Sequence, residues 1–341
     1  MRVCLKRTRS FIAPASGMRH PQSKSELEAY LRLNRAAAGE WLHALRHLLG
    51  CDDLECHARR SQAVFGSLSA IEADAGVVCV LNVAQEMEFT HCLLAGALLV
   101  MPLEGRCEVA LTDGPRLPMV PLATVPADQE FTLTVGGGSR LALVFPVPGH
   151  IPRWPVQGAA NALAVCLWQF LFRSEYFHGH RHACEEVNQL FARVRELLSS
   201  GDPHPAGEEP SMELDRRLVR VVDKIRNEPQ WAFNLQELAS HSGVSERNLY
   251  YLMKRATGMT PYRFYQRCRL IRVRRRLVDC QCDIPHISWY AADEGFSHLG
   301  RFAALYRDHF GELPSETVQW RRRLQALDNM SAPSGKTCTA S

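Results

Sequence analysis

The stretch from Ser245 to Gly258, SERNLYYLMKRATG, has the periodicity of a short amphipathic helix. One side of this helix carries side chains that bind anions or form hydrogen bonds: Arg247, Tyr250, Tyr251, Lys254 and Arg255. The opposite side carries Leu249, Leu252, Met253 and Ala256, which we expect to be buried. Arginine and tyrosine reach base edges and phosphates in DNA, and lysine suits a phosphate. The pattern therefore favours a surface that reads DNA; the alternative is that Tyr250 packs on a neighbouring helix and the charges are only solvated.

A second helix and a turn precede this stretch. The sequence LQELASHSGV places Leu235, Leu238 and Ala239 on one side of a helix, and Gly243 supplies the turn. Ser245 then suits the N-cap of the following helix. Two helices joined by a glycine-containing turn predict a helix-turn-helix, whose second helix enters the major groove of DNA.

The same arrangement occurs again between Ile284 and Val318. The residues expected to face inward are Ile287, Tyr290 and Ala291 on the first helix, and Phe302, Leu305 and Tyr306 on the second. Gly295 supplies the turn, and Ser297 is the predicted N-cap. The intervening stretch, Pro261 to Leu277, predicts a helix of roughly 25 Å. This length would place the two recognition helices about one DNA turn, roughly 34 Å, apart.

With both motifs and the joining helix in order, the stretch from Leu218 to Arg322 resembles the DNA-binding domain of the AraC/XylS family of bacterial transcription regulators. The segment GFSHLGRFAALYRDHFGELPSET is similar to the second signature of that family, and nearest to the XylS-like subgroup that senses aromatic carboxylates. The resemblance implies seven helices in two helix-turn-helix subdomains and binding to double-stranded DNA at direct repeats. It also implies activation through contact with RNA polymerase.

The resemblance assigns base-reading positions in both motifs. In the first motif these positions are Arg247, Tyr250 and Tyr251, and in the second they are His298, Gly300, Arg301 and Ala304. Gly300 and Ala304 depart from the polar residues that many members carry there, although Ala304 suits contact with a thymine methyl group. We therefore expect the first motif to carry more sequence discrimination and the second to hold phosphates through Arg301 and Arg307.

The remaining chain predicts an α+β protein, with an N-terminal jelly-roll-like β-barrel with flanking helices and a C-terminal all-α domain with two helix-turn-helix motifs. Short apolar runs separated by turn signals such as TDGP and GGGS indicate an antiparallel β-sandwich or barrel of jelly-roll type. The predicted boundaries are a disordered tail over 1–22, an effector-binding and dimerisation domain over 23–199, a linker over 200–211, the DNA-binding domain over 212–323 and a second disordered tail over 324–341. Within the first domain, helices are predicted over 23–49 and 159–199 and the barrel over about 61–148.

By the same resemblance, the N-terminal half binds a small effector, for which an aromatic carboxylate is the expected class, and helps to form a homodimer. His91, Arg106 and Arg140 are candidates to pair with an anionic effector, although each also fits an ordinary surface position. An apolar stripe formed by Leu190, Val194, Leu197 and Leu198 is expected to pack either on the barrel or on a partner chain.

Charge and composition agree with this interpretation. The stretch 213–323 holds 20 Lys and Arg against 13 Asp and Glu, whereas 1–212 holds 19 against 22. This difference favours a polyanion partner for the C-terminal part; the alternative is an ordinary basic surface. The twelve cysteines form no CxxC pair, which predicts reduced thiols in a cytoplasmic protein. No apolar run is long enough to span a membrane, and no nucleophile elbow or phosphate loop is present. The segment HGHRHAC, from His178 to Cys184, lacks a full zinc ligand set, so we expect neither metal nor cofactor.

The sequence thus predicts a cytoplasmic, DNA-binding activator of a catabolic operon that is not an enzyme. Two alternatives stay open. One is a DNA-binding domain fused to an enzymatic or alkylation-sensing N-terminal domain, although the four-cysteine zinc spacing of alkylation-repair relatives is missing. The other is a regulator controlled by a protein partner instead of a small ligand.

Overall fold

The computed structural model describes residues 27–58, 66–147, 159–199, 215–280, 282 and 285–331, with side chains described as far as 327. Eleven strands are present in these ranges: β1 (Leu31–Asn34), β2 (Glu55–Ala58), β3 (Gly66–Ala73), β4 (Gly76–Val83), β5 (Met87–Leu93), β6 (Leu98–Glu104), β7 (Cys107–Leu111), β8 (Arg116–Leu117), β9 (Ala123–Val125), β10 (Glu130–Val135) and β11 (Ser139–Pro146). The predicted tail over 1–22 and the predicted linker over 200–211 lie outside the described residues.

Ten α-helices complete the described part of the chain. They are α1 (Ala38–Leu49), α2 (Ala160–Ser174), α3 (His180–Ser199), α4 (Arg216–Asn227), α5 (Leu235–Ser242), α6 (Glu246–Thr257), α7 (Pro261–Val278), α8 (Ile287–Asp293), α9 (Leu299–Phe310) and α10 (Pro314–Ser331). None of them is long and apolar enough to cross a membrane. The second disordered tail was predicted to begin at 324, whereas α10 continues to Ser331 and Leu324 is buried.

The strands form two antiparallel sheets, and the α+β class predicted from the sequence is confirmed. One sheet has the order β1-β3-β4-β11-β6-β9 and the other has the order β2-β5-β10-β7-β8. Alternate residues of β10 are buried, and Phe131 joins Phe89, Leu81 and Leu143 in a core made by both sheets. Within the described ranges no strand belongs to both sheets, so the architecture is a sandwich of two sheets, and the jelly-roll-like barrel is not confirmed.

The predicted helix over 23–49 is only partly correct. The described residues begin with a 3-10 turn, Glu28–Tyr30, followed by β1, and only α1 is helical. Leu31 and Leu33 pair with Ser69 and Leu68 of β3 and are buried. The local sequence has good helix formers, but burial of alternate leucines on the sheet edge outweighs that preference.

Helices α2 and α3 confirm the prediction of helix over 159–199. The predicted apolar stripe of α3 faces the six-stranded sheet: Leu190, Val194 and Leu197 are buried in the same core as Val78 and Val80 of β4, while Leu198 is half-buried at its edge. The stripe therefore packs within its own chain. Burial of these side chains attaches α3 to the sheet through the hydrophobic effect.

The C-terminal helices divide between two cores. The first helix-turn-helix has a core of its own, in which Leu238, Leu249 and Phe264 are fully buried. The second shares one continuous core with α2, α3 and the six-stranded sheet, to which it contributes residues such as Phe302 and Tyr306. The second helix-turn-helix is thus packed into the N-terminal domain, whereas the first meets that domain mainly at Tyr176.

Two buried carboxylates join the domains. Glu40 of α1 accepts a hydrogen bond from Arg321 of α10 at 2.7 Å, and both side chains are at most 5% exposed. Glu312, just after α9, lies 2.7 Å from Arg274 of α7 and 2.7 Å from Arg32 of β1. Each charge is therefore paired where it is removed from water, which buried ionic groups require.

We expect Glu40→Gln to lower the free energy of unfolding by about 3 kcal/mol, because it removes the nearer countercharge of the buried Arg321 guanidinium and leaves only Asp279 at 3.9 Å. Urea denaturation at pH 7 measures the effect. Glu88→Gln removes the same charge from an exposed position on β5 and should change the free energy by less than about 0.5 kcal/mol. Equal stability of the two variants would contradict the role given to this pair.

Glu312 should make the protein acid-sensitive. Burial alone raises the pKa of Glu312, but the charges of Arg274 and Arg32 outweigh it and lower that pKa from its usual 4.5 to about 2. A carboxyl with a depressed folded-state pKa stabilises the fold above its unfolded pKa, and this stabilisation is lost as the pH falls from about 4.5 to about 2.

We therefore expect the wild-type protein to lose about 3 kcal/mol more stability between pH 5 and pH 2 than Glu312→Gln does. The variant should be the less stable protein at pH 6, where the wild-type carboxylate is ionised. Denaturant unfolding across this pH range provides the measurement, with Glu88→Gln as the control that keeps the wild-type slope. Parallel curves for wild type and Glu312→Gln would show that the carboxylate is not held in its charged form.

Candidate nucleic-acid interface

Helices α5 and α6 form the first predicted helix-turn-helix. The side chain of Asn234 accepts a hydrogen bond from the backbone of Glu237 at 3.0 Å and caps α5. Gly243 ends that helix at a φ of 75°, a left-handed conformation that favours glycine. Ser245 then caps α6 by accepting from the backbone of Asn248 at 3.3 Å. The predicted turn at Gly243 and the predicted N-cap at Ser245 are confirmed.

Helix α6 separates an inner from an outer side. Leu249 and Met253 are fully buried, while Tyr250 and Tyr251 are 44% and 58% exposed. Of the four residues expected inside, Leu252 is half-buried and Ala256 is exposed, so the prediction for Ala256 is wrong. Thr257 turns inward in its place, because its hydroxyl donates to the carbonyl of Met253 at 2.8 Å. The inner side is therefore rotated by one residue in the last turn.

The outer side of α6 presents Arg247 against an aromatic ring, beside two further cations. The guanidinium of Arg247 lies 5.8 Å from the ring centre of Tyr251, which holds it by a cation–π contact. The rings of Tyr250 and Tyr251 lie nearly perpendicular at 6.1 Å. Arg255 is also exposed, whereas Lys254 donates to the carbonyl of Gly258 at 2.9 Å. Lys254 thus caps the end of its own helix while its ammonium group stays at the surface.

Helices α8 and α9 form the second helix-turn-helix. Gly295 makes the turn at a φ of 73°. The N-cap of α9 is His298, without a capping hydrogen bond from its side chain, so the predicted cap at Ser297 is displaced by one residue. Phe302 and Tyr306 are buried and Leu305 is half-buried, as expected. The residues assigned to the outer side are all exposed: His298, Gly300, Arg301, Ala304 and Arg307.

Helix α7 connects the two motifs over 18 residues, which corresponds to about 27 Å. Two of its arginines, Arg267 and Arg274, are buried and face the N-terminal domain. Neither arginine was among the functional residues predicted from the sequence. Their spacing of seven, interleaved with the buried Leu270 and Leu277, is the signal that places all four on one side of the helix.

The candidate effector residues do not converge. His91 lies next to Glu130, at 2.9 Å, at the start of β10, whereas Arg106 lies beyond the other end of that strand, where its carbonyl accepts from Gly136. These ends are roughly 17 Å apart. Arg140 is near Arg106 in the fold and is half-buried beside Glu104 at 3.4 Å. His91 therefore lies at one end of the sandwich and Arg106 and Arg140 at the other, and the role of the three in effector binding stays a prediction.

The histidine-rich segment from His178 to Cys184, which was considered for metal binding, lies between the two helix-turn-helix units. His178 stacks on His182 with ring centres 3.9 Å apart, and His180 lies 3.5 Å from the sulfur of Cys184. The described residues contain no group of three or more metal-binding side chains. A Cβ on Gly258 would contact His178, and one on Gly311 would meet His180, so the segment fits between the ends of α6 and α9.

Two short helices with exposed outer sides, each preceded by a glycine turn, define a helix-turn-helix DNA-binding domain. A family model described as a helix-turn-helix domain matches residues 238–323. The XylDLEGF operon transcriptional activator 2 of Pseudomonas putida is 40% identical over 110 residues, which are 32% of this chain and 69% of that protein. The chain belongs to the AraC/XylS family.

Other relatives match a smaller share of their own length. The XylDLEGF operon transcriptional activator 3 of Pseudomonas putida is 36% identical over 156 residues, 44% of this chain and 45% of that protein. Thus the chain spans less than half the length of that relative. Among solved structures, a probable AraC family transcriptional regulator from Rhodopseudomonas palustris is 32% identical, covers 31% of this chain and 96% of its own, and has a TM-score of 0.29.

Two glycines of the second motif, Gly295 and Gly300, should respond oppositely to alanine. A Cβ on Gly300 would meet nothing within 4 Å, so Gly300→Ala should raise the free energy of unfolding by about 0.5–1 kcal/mol. Gly295 has a positive φ, and its Cβ would lie 1.9 Å from a terminal nitrogen of Arg269, so Gly295→Ala should lower it by about 1 kcal/mol or more. Urea denaturation compares the two. A stability loss in Gly300→Ala would mean that this side of α9 is covered.

Proposed function

We propose that the protein is a sequence-specific DNA-binding transcriptional regulator that activates a catabolic operon. The observation that carries this proposal is the outer side of α6, where Arg247, Tyr250 and Tyr251 stand exposed on a helix held by caps at both ends. Exposed aromatic groups have no packing role there, and together with arginine they supply hydrogen bonds and apolar contacts to base edges. This arrangement supports binding and not catalysis.

The two recognition helices contribute differently to DNA binding. Arg247 is the base-reading residue of α6, because a guanidinium bonds guanine through two parallel hydrogen bonds. Lys254 and Arg255 are placed to contact phosphates. Helix α9 carries Gly300 and Ala304 where hydrogen-bonding side chains would be needed for base readout, so Arg301 and Arg307 hold it on the phosphate backbone. The first motif therefore supplies most of the sequence discrimination.

The N-terminal domain gives this DNA-binding unit its control. We assign to it the binding of a small effector, for which an aromatic carboxylate is the class suggested by family resemblance. Relatives that are named activators of the XylDLEGF operon support an activating role. In this scheme the protein acts in the cytoplasm, contacts RNA polymerase at the promoter and forms a homodimer. An effector shifts promoter occupancy only if it favours one arrangement of the two domains.

The proposal is tested by selecting bound sequences from a random pool of DNA duplexes and measuring affinity for the selected site. Arg247→Ala should weaken binding by about 1–3 kcal/mol and relax the preference at one base pair. Fluorescence anisotropy with the selected site and its single-base variants measures both effects.

Arg216→Ala is the matched control, since it removes the same charge from an exposed position on α4. It should weaken all sequences alike and leave base preference intact. If Arg247→Ala behaves like Arg216→Ala, then α6 does not read bases. If no sequence is enriched from the pool, the assignment as a sequence-specific regulator fails.

A further inference from the structure

Three buried side chains at the junction of the domains each have a polar atom without a hydrogen-bond partner among the described residues. They are the hydroxyl of Tyr30, one terminal nitrogen of Arg267 and the Nε2 of His309. All three residues are at most 5% exposed. Buried polar groups in native proteins are almost always bonded, and each exception calls for a partner. Three such exceptions in one region indicate a site that takes a polar ligand.

These residues surround the backbone at the end of the loop between α2 and α3. Arg267 of α7 donates from its Nε to the carbonyl of Phe177 at 2.8 Å. His309 of α9 is hydrogen-bonded to the backbone of the next residue, His178. The ring of Tyr30 lies 6.5 Å from that of Phe177. The three side chains therefore come from three different elements to the same short segment.

The region carries positive charge that its own carboxylates do not neutralise. Arg267 makes no ion pair with any described residue, while its neighbours are paired: Arg274 with Glu312, and Arg226 with Glu175. A buried guanidinium without a countercharge is costly unless an anion binds it. Arginine is also the side chain that best matches the planar geometry of a carboxylate or the oxygens of a phosphate.

The chemistry of the other two groups suits an anion as well. Burial raises the pKa of Tyr30, so its hydroxyl keeps its proton and acts as a donor. Burial, then the charges of Arg267 and Arg274, lower the pKa of His309 well below its usual value, so the ring is neutral. An anion beside it would offset those two charges and favour protonation, which turns Nε2 into a third donor.

We propose that Arg267 and Tyr30, with His309 beside them, form a binding site for a small oxyanion, a carboxylate or a phosphate, at the junction of the two domains. This site is separate from His91, Arg106 and Arg140. It joins the first turn of the N-terminal domain to α7 and to the end of α9. An anion there ties the second recognition helix to the N-terminal domain; this consequence rests on the proposed function, whereas the binding itself does not.

The test uses the whole chain and follows thermal unfolding in sodium acetate or sodium phosphate against sodium chloride at the same ionic strength. We expect a saturable rise in melting temperature with acetate, phosphate or both, since a ligand that binds only the folded state stabilises it. A saturable rise with acetate alone identifies a carboxylate site, and a saturable rise with phosphate alone identifies a phosphate site. Both results support the proposal.

Tyr30→Phe is the decisive variant. It removes only the unpartnered hydroxyl, so it leaves no new unpaired group and should fold as well as the wild type. The half-saturating anion concentration should rise about tenfold, which is the effect of losing one hydrogen bond to a charged group. Arg267→Gln should abolish the saturable shift. Thr90→Val is the matched control, because it removes a buried, unpartnered hydroxyl from β5, in the sandwich.

The proposal is overturned if neither anion acts beyond chloride, or if Tyr30→Phe and Thr90→Val respond to the anion alike. DNA affinity measured in the same salts separates this result from the proposed function. A protein that binds its selected site equally well in acetate, phosphate and chloride, without any saturable thermal shift, remains a DNA-binding regulator without the anion site. A saturable shift in a protein that binds no DNA sequence preferentially supports the site and rejects the proposed function.

Discussion

The carboxylate of Glu312 is the contact on which the arrangement of the domains depends. It forms ion pairs with Arg274 of α7 and Arg32 of β1, each at 2.7 Å, and the hydroxyl of Thr317 also donates to it at 2.7 Å. Because α7 connects both helix-turn-helix units, fixing α7 against β1 fixes the second unit as well. The shared core of α3, α7 and α9 forms around this contact. The first unit has a core of its own and is attached to the N-terminal domain by fewer interactions.

This arrangement divides the basic residues of the C-terminal part into two groups. Arg267, Arg274 and Arg321 are buried and bond to carbonyls or carboxylates of the N-terminal domain or its neighbouring helices. Arg247 and Arg301 are exposed. The excess of positive charge in the sequence is therefore larger than the charge available to a polyanion. Part of it holds the domains together, where the pairing of buried charges makes the docking specific.

The sequence was sufficient to predict which side chains are buried where a helix buries one side against its own motif. Apart from the last turn of α6, where Ala256 is exposed and Thr257 is buried, the inner and outer sides of α6 and α9 follow from spacing, because each helix packs on its own motif through i, i+3 and i+4 positions. Residue spacing did not predict the structure where contacts between residues distant in the sequence determine it. Leu31 is in a strand because β3 lies beside it, and Arg321 meets Glu40 across 281 positions of the chain. Arg267 was not predicted to be buried, although its spacing from Leu270, Arg274 and Leu277 places it on the buried side of α7, because arginine is mostly exposed in proteins.

The unequal attachment of the two units bears on how a ligand would alter DNA binding. Helix α9 shares a core with the six-stranded sheet, so a rearrangement in the N-terminal domain moves α9 with it. Helix α6 packs in a separate core that contains no described residue of the sheet, and it carries the exposed Arg247, Tyr250 and Tyr251. Occupancy of two binding sites on one duplex depends on the distance between the recognition helices. We infer that control acts on the position of α9 relative to α6, and that the base-reading surface of α6 is left unchanged.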